Sequence, residues 1–421
     1  MSENISIKET VEFIINSKEE KFTLLGIGPM SENFLHASLE SSKEKDYPIM
    51  YIASRNQVDS YKFGGGYVFN SDQKIFTDKI KEIANEINYD NLYYVCRDHG
   101  GPWQRDKERA DKLDEKKAMD IAKESYKEDI LNGFDLLHID PTKDPDEMLK
   151  VVDIDTVFNR TIELIEYCES VKMEYGINKE IAYEVGTEET SGGLTSLDRY
   201  EDFIIRIEKY MKDNNLPMPI FIVGQTGTLT RLTKNVGDFN YDNSKKLSKI
   251  STKYGVGLKE HNGDYLSEAK LLAHLPLGIT AMNVAPAFGT IETIALLELC
   301  DVEDKFHDMG IISQKSKLRE RMEYHSIYMK KWKKWLTDEI DMSNLDALSE
   351  KTKREITELC GHYTFSLEDV DAEIKKLNTN LESIYIDGKR YVIDKLKEEM
   401  DKHVRCFNLE GLTTKIRKAK V

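Results

Sequence analysis

Short apolar segments recur along the first three quarters of the chain, and amphipathic stretches with helical spacing separate them. Each segment is apolar on both alternating faces, which is typical of a parallel strand covered by helices on one side and a barrel interior on the other. Eight strand-and-helix units in succession predict a (β/α)8 TIM barrel. A doubly wound open sheet is the alternative, but the Gly-rich dinucleotide fingerprint is missing. The eight segments are FTLLGIG (22–28), PIMYIAS (48–54), LYYVCRDHGG (92–101), FDLLHIDPT (134–142), IAYEVGTEE (181–189), MPIFIVGQTGT (218–228), VGLKEHNGD (256–264) and GITAMNVAP (278–286).

The pattern changes at about residue 305. Beyond it the chain shows charged helical patterns, and only YIDGKRYV (385–392) has the character of a strand. We therefore predict two units, a barrel over residues 1–305 and a helical extension over 306–421 that packs on it. Within the barrel, Ser31 is expected to cap the N-terminus of a helix over 31–43.

Composition narrows the class of protein. The chain has 421 residues with 60 Lys and Arg against 76 Asp and Glu, a formal net charge of −16. This acidic balance argues against nucleic-acid binding. No apolar stretch approaches ~20 residues, and the N-terminus lacks the pattern of a signal peptide. The five cysteines form no CxxC pair. We expect a cytoplasmic protein that meets neither nucleic acid nor membrane.

Polar residues cluster where the predicted strands end, which in a TIM barrel is the end that carries the chemistry. Three histidines, His99, His138 and His261, stand there, each beside a carboxylate. Such a set can hold Zn²⁺ or a related divalent ion, or perform acid–base catalysis without a metal. Lys259 shares a face with His261, so a Schiff-base mechanism also stays open.

The sequence after the eighth predicted strand also indicates a candidate phosphate-binding site. Thr290, next to Gly289, could cap the helix that follows, and the free N–H groups of that helix would favour an anion. An ordinary turn is the alternative. The glycine-rich stretch 63–67 after the second strand is expected to be a loop at the barrel mouth.

Several short motifs resemble the Z-type subunit family of class II D-tagatose-1,6-bisphosphate aldolase, which includes related ketose and ketose-phosphate epimerases. Their order and spacing follow the whole predicted barrel, although Asn283 stands where the family has a lysine. The chain is thus identified as a divergent member. The motifs are 54–58 with 63–67, Asp98-His99 with Gly101-Pro102, His138-Ile139-Asp140, Gly186-Thr187-Glu188, Gln225 with Gly227, Glu260-His261 with Asp264-Tyr265, and 284–287.

The resemblance implies a (β/α)8 fold and work on a phosphorylated sugar. Our main hypothesis is a metal-dependent aldolase acting on a phosphorylated ketose. The alternatives are a ketose-phosphate epimerase, a metal-free isomerase, and a non-catalytic subunit that stabilises a separate aldolase. We also expect a homo-oligomer.

Roles can be assigned to residues on this hypothesis. The metal, expected to be Zn²⁺, would be held by His99 and His261 with His138 or Glu188. Asp98 is the expected proton carrier, with Asp140 and Glu188 as further catalytic candidates. Because the substrate is anionic and the chain acidic, the mouth needs local positive charge, for which Arg55, Arg97 and Arg105 are candidates. The predicted substrate-binding residues are Asn56, Gln57, Arg97, Gln225, Asn283, Gly289 and Thr290.

Overall fold

A computed structural model describes residues 5–145, 152–187, 193–231, 233–334 and 344–420. Eight parallel strands close into a barrel in the spatial order β1-β10-β9-β6-β5-β4-β3-β2. This confirms the predicted (β/α)8 fold, and every predicted apolar segment contains one barrel strand. The sequence did not predict the small antiparallel hairpin of β7 and β8, which follows β6. The strands are β1 Leu24–Ile27, β2 Ile49–Ser54, β3 Tyr93–Gly100, β4 Leu136–Ile139, β5 Ala182–Val185, β6 Phe221–Val223, β7 Thr230–Arg231, β8 Lys234–Asn235, β9 Gly257–Glu260 and β10 Ala281–Val284.

Helices surround the barrel and cover its outer face. As predicted, the Ser31 side chain accepts a hydrogen bond from the Phe34 N–H at the start of the second helix. None of the described helices is long and apolar enough to cross a membrane. The helices are α1 Ile7–Asn16, α2 Glu32–Lys45, α3 Gln73–Glu86, α4 Asp106–Ala110, α5 Glu115–Leu131, α6 Ile154–Glu174, α7 Leu197–Asp213, α8 Tyr241–Lys253, α9 Glu268–Leu277, α10 Pro286–Asp308, α11 Leu318–Tyr328, α12 Glu350–Cys360, α13 Glu368–Glu382, α14 Gly388–Cys406 and α15 Leu412–Ala419.

The C-terminal helices α11 to α15 form the extension. Residues of α13, α14 and α15 belong to the same buried apolar cluster as the barrel strands. The segment 385–392, which had the character of a strand, instead leads into α14, because the Asp387 side chain caps that helix. The division at residue 305 stays a prediction, since this residue lies inside α10.

Two short 3-10 helices of the extension, Lys331–Lys334 and Gly361–Tyr363, lie at the barrel mouth. They pack with a second, smaller apolar cluster that contains Trp332, Ile356 and Leu359. The extension therefore contributes residues to the end of the barrel where the predicted site lies.

Candidate metal centre and active site

Three barrel strands bring His99, His138 and His261 together at the carboxyl end of the barrel. The ring centroids are 5.2 Å apart for His99 and His138, 4.8 Å for His99 and His261, and 5.0 Å for His138 and His261. One nitrogen of each ring lies within 4.8 Å of the others, so the group could hold a metal ion. The clustering expected from the sequence is therefore observed.

A bulge in β3 explains how two consecutive residues reach the same cavity. Neighbouring side chains of a strand normally point to opposite faces, yet Asp98 and His99 both line the cavity. The register between β3 and β4 shifts between Arg97 and Gly100, and His99 has a φ of 42°. Bulges re-aim side chains in this way and are frequent next to active sites.

His99 and His261 present a nitrogen pair that suits a metal. His99 Nε2 and His261 Nδ1 lie 3.2 Å apart. Two imidazole nitrogens that each lie about 2.0–2.1 Å from a tetrahedral zinc ion are separated by about 3.3 Å. The donor set and the spacing of this nitrogen pair therefore fit Zn²⁺.

The second ring nitrogen of His99 and of His261, which is not part of this pair, contacts a carboxylate. Asp140 Oδ2 lies 2.6 Å from His99 Nδ1, and Glu184 Oε1 lies 2.7 Å from His261 Nε2. Each carboxylate favours a proton on the nitrogen it contacts, which leaves the facing nitrogen able to bind a metal. Carboxylate partners of this kind fix the tautomer and orientation of metal-binding histidines.

The pKa values follow from this arrangement. Burial opposes charge on His99, but Asp98 and Asp140 raise the pKa of its imidazole to about 9. Burial would raise the pKa of Asp140, yet its hydrogen bond to His99 and the charge of that ring hold the pKa far below its usual value. Asp140 is therefore an ionised partner of His99 at neutral pH.

Glu184 is a site residue that stood among the polar residues near the end of the fifth predicted strand but received no role from the sequence. It lies within β5, not at its end, and its carboxylate is fully buried. Its second oxygen, Oε2, lies 2.5 Å from the buried Lys259 Nζ. Although burial would raise the pKa of Glu184, Lys259 and the histidines lower it to about 2. A glutamate in an otherwise apolar strand was the sequence signal that could have revealed it.

Lys259 faces the barrel interior, as alternation with His261 predicted. Its ammonium group is committed to Glu184, and Lys259 is not among the residues that line the cavity. A Schiff base requires a lysine that the substrate carbonyl can reach. The structure therefore gives no support to that alternative.

Asp98 lies beside the histidines and is the best-placed carboxylate for proton transfer. The Asn283 side chain donates a hydrogen bond to Asp98 Oδ1 at 3.0 Å. Burial would raise the pKa of Asp98, but His99, His138 and His261 together lower it strongly. An ionised carboxylate that is held in one orientation and lines the cavity can accept a proton from a ligand.

His138 has one nitrogen engaged and one available. Its Nδ1 accepts a hydrogen bond from the His99 backbone N–H at 3.1 Å. Its Nε2 is buried and has no hydrogen-bond partner among the described residues. Because Nδ1 accepts, the proton of the neutral ring lies on Nε2, so Nε2 can donate to a ligand hydroxyl, and His138 would bind a metal only through Nδ1, in place of the bond from the His99 N–H.

A cavity of about 490 Å³ opens above this centre. Loops of the barrel form most of its wall, and Lys331, His362 and Tyr363 of the extension complete it. The described cationic residues that line it are Arg109, Lys143, Arg231 and Lys331. None of these four was assigned to the site from the sequence.

The predicted arginines lie elsewhere, which corrects their assignment. Arg97 is fully buried and forms an ion pair with Asp129 on the outer side of β3. Arg55 binds Asp59 and Glu108, both buried, and Arg105 also binds Asp59. These arginines brace the loops after β2 and β3 and do not line the cavity. Arg97 is thus not placed to bind substrate.

The predicted phosphate site after the eighth strand is also corrected. Helix α10 begins at Pro286, so Thr290 lies in its second turn and not at its cap. Asp264 Oδ1 accepts hydrogen bonds from the N–H groups of Ala285 and Ala287, at 3.0 and 2.9 Å. A carboxylate of the protein therefore already occupies the anion position at this helix terminus.

Gly289 has a packing role instead. A Cβ at Gly289 would lie 2.5 Å from ring atoms of His362, which is closer than carbon atoms approach in packed proteins. The glycine thus allows the extension to dock against α10. Thr290 contributes by a hydrogen bond between its hydroxyl and that of Tyr265, at 2.7 Å.

The remaining predicted residues fall into three groups. Asn56 and Gln57 line the cavity, and Gln57 also bonds the backbone at Ser54 N and Pro29 O. Gln225 is buried and does not line the cavity. Glu188 lies outside the described residues, so its catalytic and metal-binding roles stay predictions.

Comparison with known proteins agrees with this architecture. Residues 12–405 match the family described as D-tagatose-1,6-bisphosphate aldolase subunit GatZ/KbaZ-like. The chain belongs to this family. The resemblance inferred from the sequence motifs is therefore confirmed, and the family places the chain among proteins of sugar-phosphate metabolism.

Solved structures share the fold at low sequence identity. A probable tagatose 6 phosphate kinase from Sinorhizobium meliloti 1021 matches with a TM-score of 0.75 and 16% identity, over 91% of this chain and 100% of that one. The fructuronate-tagaturonate epimerase UxaE from Cohnella laeviribosi matches with a TM-score of 0.56 and 12% identity, over 94% and 83%. The fructose-bisphosphate aldolase from Campylobacter jejuni matches with a TM-score of 0.51 and 10% identity, over 93% and 91%. At these identities the likeness concerns the fold alone.

Proposed function

We propose that this GatZ/KbaZ-like chain is a metal-dependent enzyme of the class II aldolase type that acts on a phosphorylated ketose. D-tagatose 1,6-bisphosphate, the sugar in the family's description, is the reference substrate. The observation that carries the proposal is the 3.2 Å pair of His99 Nε2 and His261 Nδ1, with a carboxylate behind each ring. Aldol cleavage requires a group that polarises the ketose carbonyl, such as a metal ion held by this pair, and a base, such as the ionised Asp98.

The residues take distinct roles in this proposal. His99 and His261 would hold the ion, expected to be Zn²⁺, with His138 as the third candidate ligand. When bound, a divalent ion polarises a ketose carbonyl oxygen and lowers the cost of negative charge beside it. In cleavage, Asp98 would take the proton of the substrate hydroxyl whose carbon becomes the aldehyde as the C–C bond breaks, and would return it to the carbon beside the ketone that keeps the electron pair. Asn283 orients the Asp98 carboxylate.

Asp140 acts through His99 in this scheme and does not itself exchange a proton with substrate. Its Oδ2 contacts His99 Nδ1, and its Oδ1 accepts a hydrogen bond from the Thr142 hydroxyl at 2.5 Å. Both oxygens are therefore committed. This revises the role expected from the sequence, in which Asp140 was a second proton carrier.

Turnover by the purified chain tests the proposal. We expect Zn²⁺-loaded protein to cleave D-tagatose 1,6-bisphosphate, and we expect Asp98→Asn to lower kcat by 10²-fold or more. Chelation with EDTA should abolish activity, and added Zn²⁺ should restore it. Cleavage that survives metal removal would contradict the proposal, and EDTA-resistant isomerisation of the sugar without cleavage would favour a metal-free isomerase.

A second candidate follows from the word subunit in the family's description. The chain would then stabilise a separate aldolase and have no turnover of its own. Absence of turnover by the Zn²⁺-loaded chain alone, together with higher stability of a co-purified aldolase, would establish this role. The ligand-fixing carboxylates Asp140 and Glu184 favour the catalytic proposal, because a vestigial mouth does not need them.

A further inference from the structure

One wall of the cavity is built by the barrel and the extension together. Lys331 Nζ lies 2.5 Å from Asp106 Oδ2. Arg109 donates to the other oxygen of Asp106, at 2.6 Å. All three side chains line the cavity. One carboxylate thus joins two cations, and the trio keeps one net positive charge at the cavity wall.

The position of Lys331 is fixed by its neighbours in the extension. Trp332, the next residue, is 2% exposed and packs in the smaller apolar cluster. Its indole N–H donates to the Ile327 carbonyl at 2.9 Å. Tyr363 packs against the same cluster, and its ring lies 4.8 Å from that of Tyr67 in the barrel. Because the lysine is anchored in this way, little order has to be created when a ligand binds.

Arg109 also donates to the Trp103 carbonyl at 2.5 Å, and both cations line the cavity with N–H groups to spare. Lys331 and Arg109 retain 31% and 18% side-chain exposure, and each has more N–H groups than Asp106 can accept. A guanidinium and an ammonium group side by side are suited to a phosphate dianion. The helix terminus that usually serves this purpose is already occupied by Asp264. The phosphate of an anionic substrate therefore needs another site in this cavity.

We propose that Arg109 and Lys331 form a phosphate subsite that binds a phosphate ester of the ketose on the β3 side of the metal centre. The extension would then recognise substrate directly and would not serve stability alone. The ligand class rests on the proposed function, since the phosphate is taken to belong to the ketose.

Calorimetric titration of the full chain loaded with Zn²⁺ tests this subsite. The ligands are D-tagatose, its 1-phosphate, its 6-phosphate and inorganic phosphate. The variants are Lys331→Met and Arg109→Gln. Lys353→Met is the matched control, because Lys353 also pairs with one carboxylate of the extension, Glu350 at 3.0 Å, and does not line the cavity. Thermal unfolding checks that each variant is folded.

We expect Lys331→Met and Arg109→Gln each to weaken binding of one of the two monophosphates at least tenfold, with D-tagatose and the control unchanged. We also expect the wild type to bind that ester more tightly than inorganic phosphate. Unchanged monophosphate affinity in both variants would overturn the proposal. So would a parallel loss of D-tagatose binding, which marks a structural role, or equal affinity for inorganic phosphate and both esters.

These outcomes are independent of turnover. Phosphate-dependent binding that needs Lys331, in a chain without aldolase activity, supports the subsite and contradicts the catalytic proposal. Turnover that is indifferent to Lys331 and Arg109 supports catalysis and contradicts the subsite.

Discussion

The buried pair of Lys259 and Glu184 gives the sharpest test of how the metal centre is supported. Their side chains are 1% and 0% exposed, and Nζ lies 2.5 Å from Oε2. Lys259→Met removes the cation and leaves a buried carboxylate without its charge partner. Loss of one member of a buried ion pair costs about 3–5 kcal/mol. With an unfolding entropy of about 2.1 cal/mol/K per residue, a chain of 421 residues shifts by about 1 °C per kcal/mol, so the midpoint of thermal unfolding should fall by roughly 3–6 °C.

The double variant Glu184→Gln/Lys259→Met separates the cost of a buried unpaired charge from the effect of Glu184 on metal binding by His261. It has no buried unpaired charge, so we expect it to regain most of the stability lost in Lys259→Met. His261 Nε2 then faces an amide instead of a carboxylate. Loss of such a partner lowers metal affinity by about 10–100-fold, or about 1.4–2.7 kcal/mol, as measured by Zn²⁺ competition with a chelating dye.

A surface pair provides the control for these measurements. Lys179 lies 2.7 Å from Asp135, with 40% and 21% exposure. Lys179→Met should cost less than ~1 kcal/mol and leave Zn²⁺ affinity unchanged. A double variant as unstable as Lys259→Met would contradict the role of the ion pair. A Zn²⁺ affinity equal to that of the wild type would contradict the support of His261 by Glu184.

Three further predictions concern pH and packing. Burial raises the pKa of Glu292 from 4.5 to about 7, so its contribution to stability is present below pH 4.5 and is lost as the pH rises through 7. The wild type should therefore lose about 3 kcal/mol of unfolding free energy between pH 5 and pH 8, and Glu292→Gln should not show this loss. The pKa of His99 is raised to about 9 without metal, so the stability that protonated His99 contributes is present below about pH 6.5 and is lost toward pH 9. Because Zn²⁺ must displace the His99 proton, the affinity for Zn²⁺ should rise with pH over this range, and calorimetry in two buffers should show the released proton. Gly289→Ala should cost about 1–3 kcal/mol by overpacking against His362, and Gly289→Ala/His362→Ala should be less destabilised than the sum of the single variants in urea unfolding.

Much of the fold could be predicted because it follows from patterns of apolar residues within short segments of the sequence. Strands buried on both faces read as continuous apolar runs, and eight of these with intervening helical patterns leave few architectures. His99, His138 and His261 could be found for the same reason, since the carboxyl ends of barrel strands converge on one mouth. The sequence could not show which of their nitrogens face each other.

The errors have physical reasons that involve tertiary contacts. The position of Arg97 beside Asp98 suggested the mouth, but neighbouring residues of a strand point to opposite faces, so Arg97 faces Asp129 on the outer side of β3. Asp264 reaches the start of α10 from another loop, which no local pattern reveals. Lys331 reaches the cavity only because the extension folds back over the barrel.

The central claim is that His99 and His261 bind a divalent metal at the barrel mouth. Elemental analysis after Zn²⁺ loading and dialysis tests it most directly, with His99→Ala/His261→Ala compared with the wild type and with His307→Ala, a surface histidine that does not line the cavity. We predict one zinc ion per chain in the wild type and in His307→Ala, and none in the double variant. Stoichiometric zinc in the folded double variant would contradict the account.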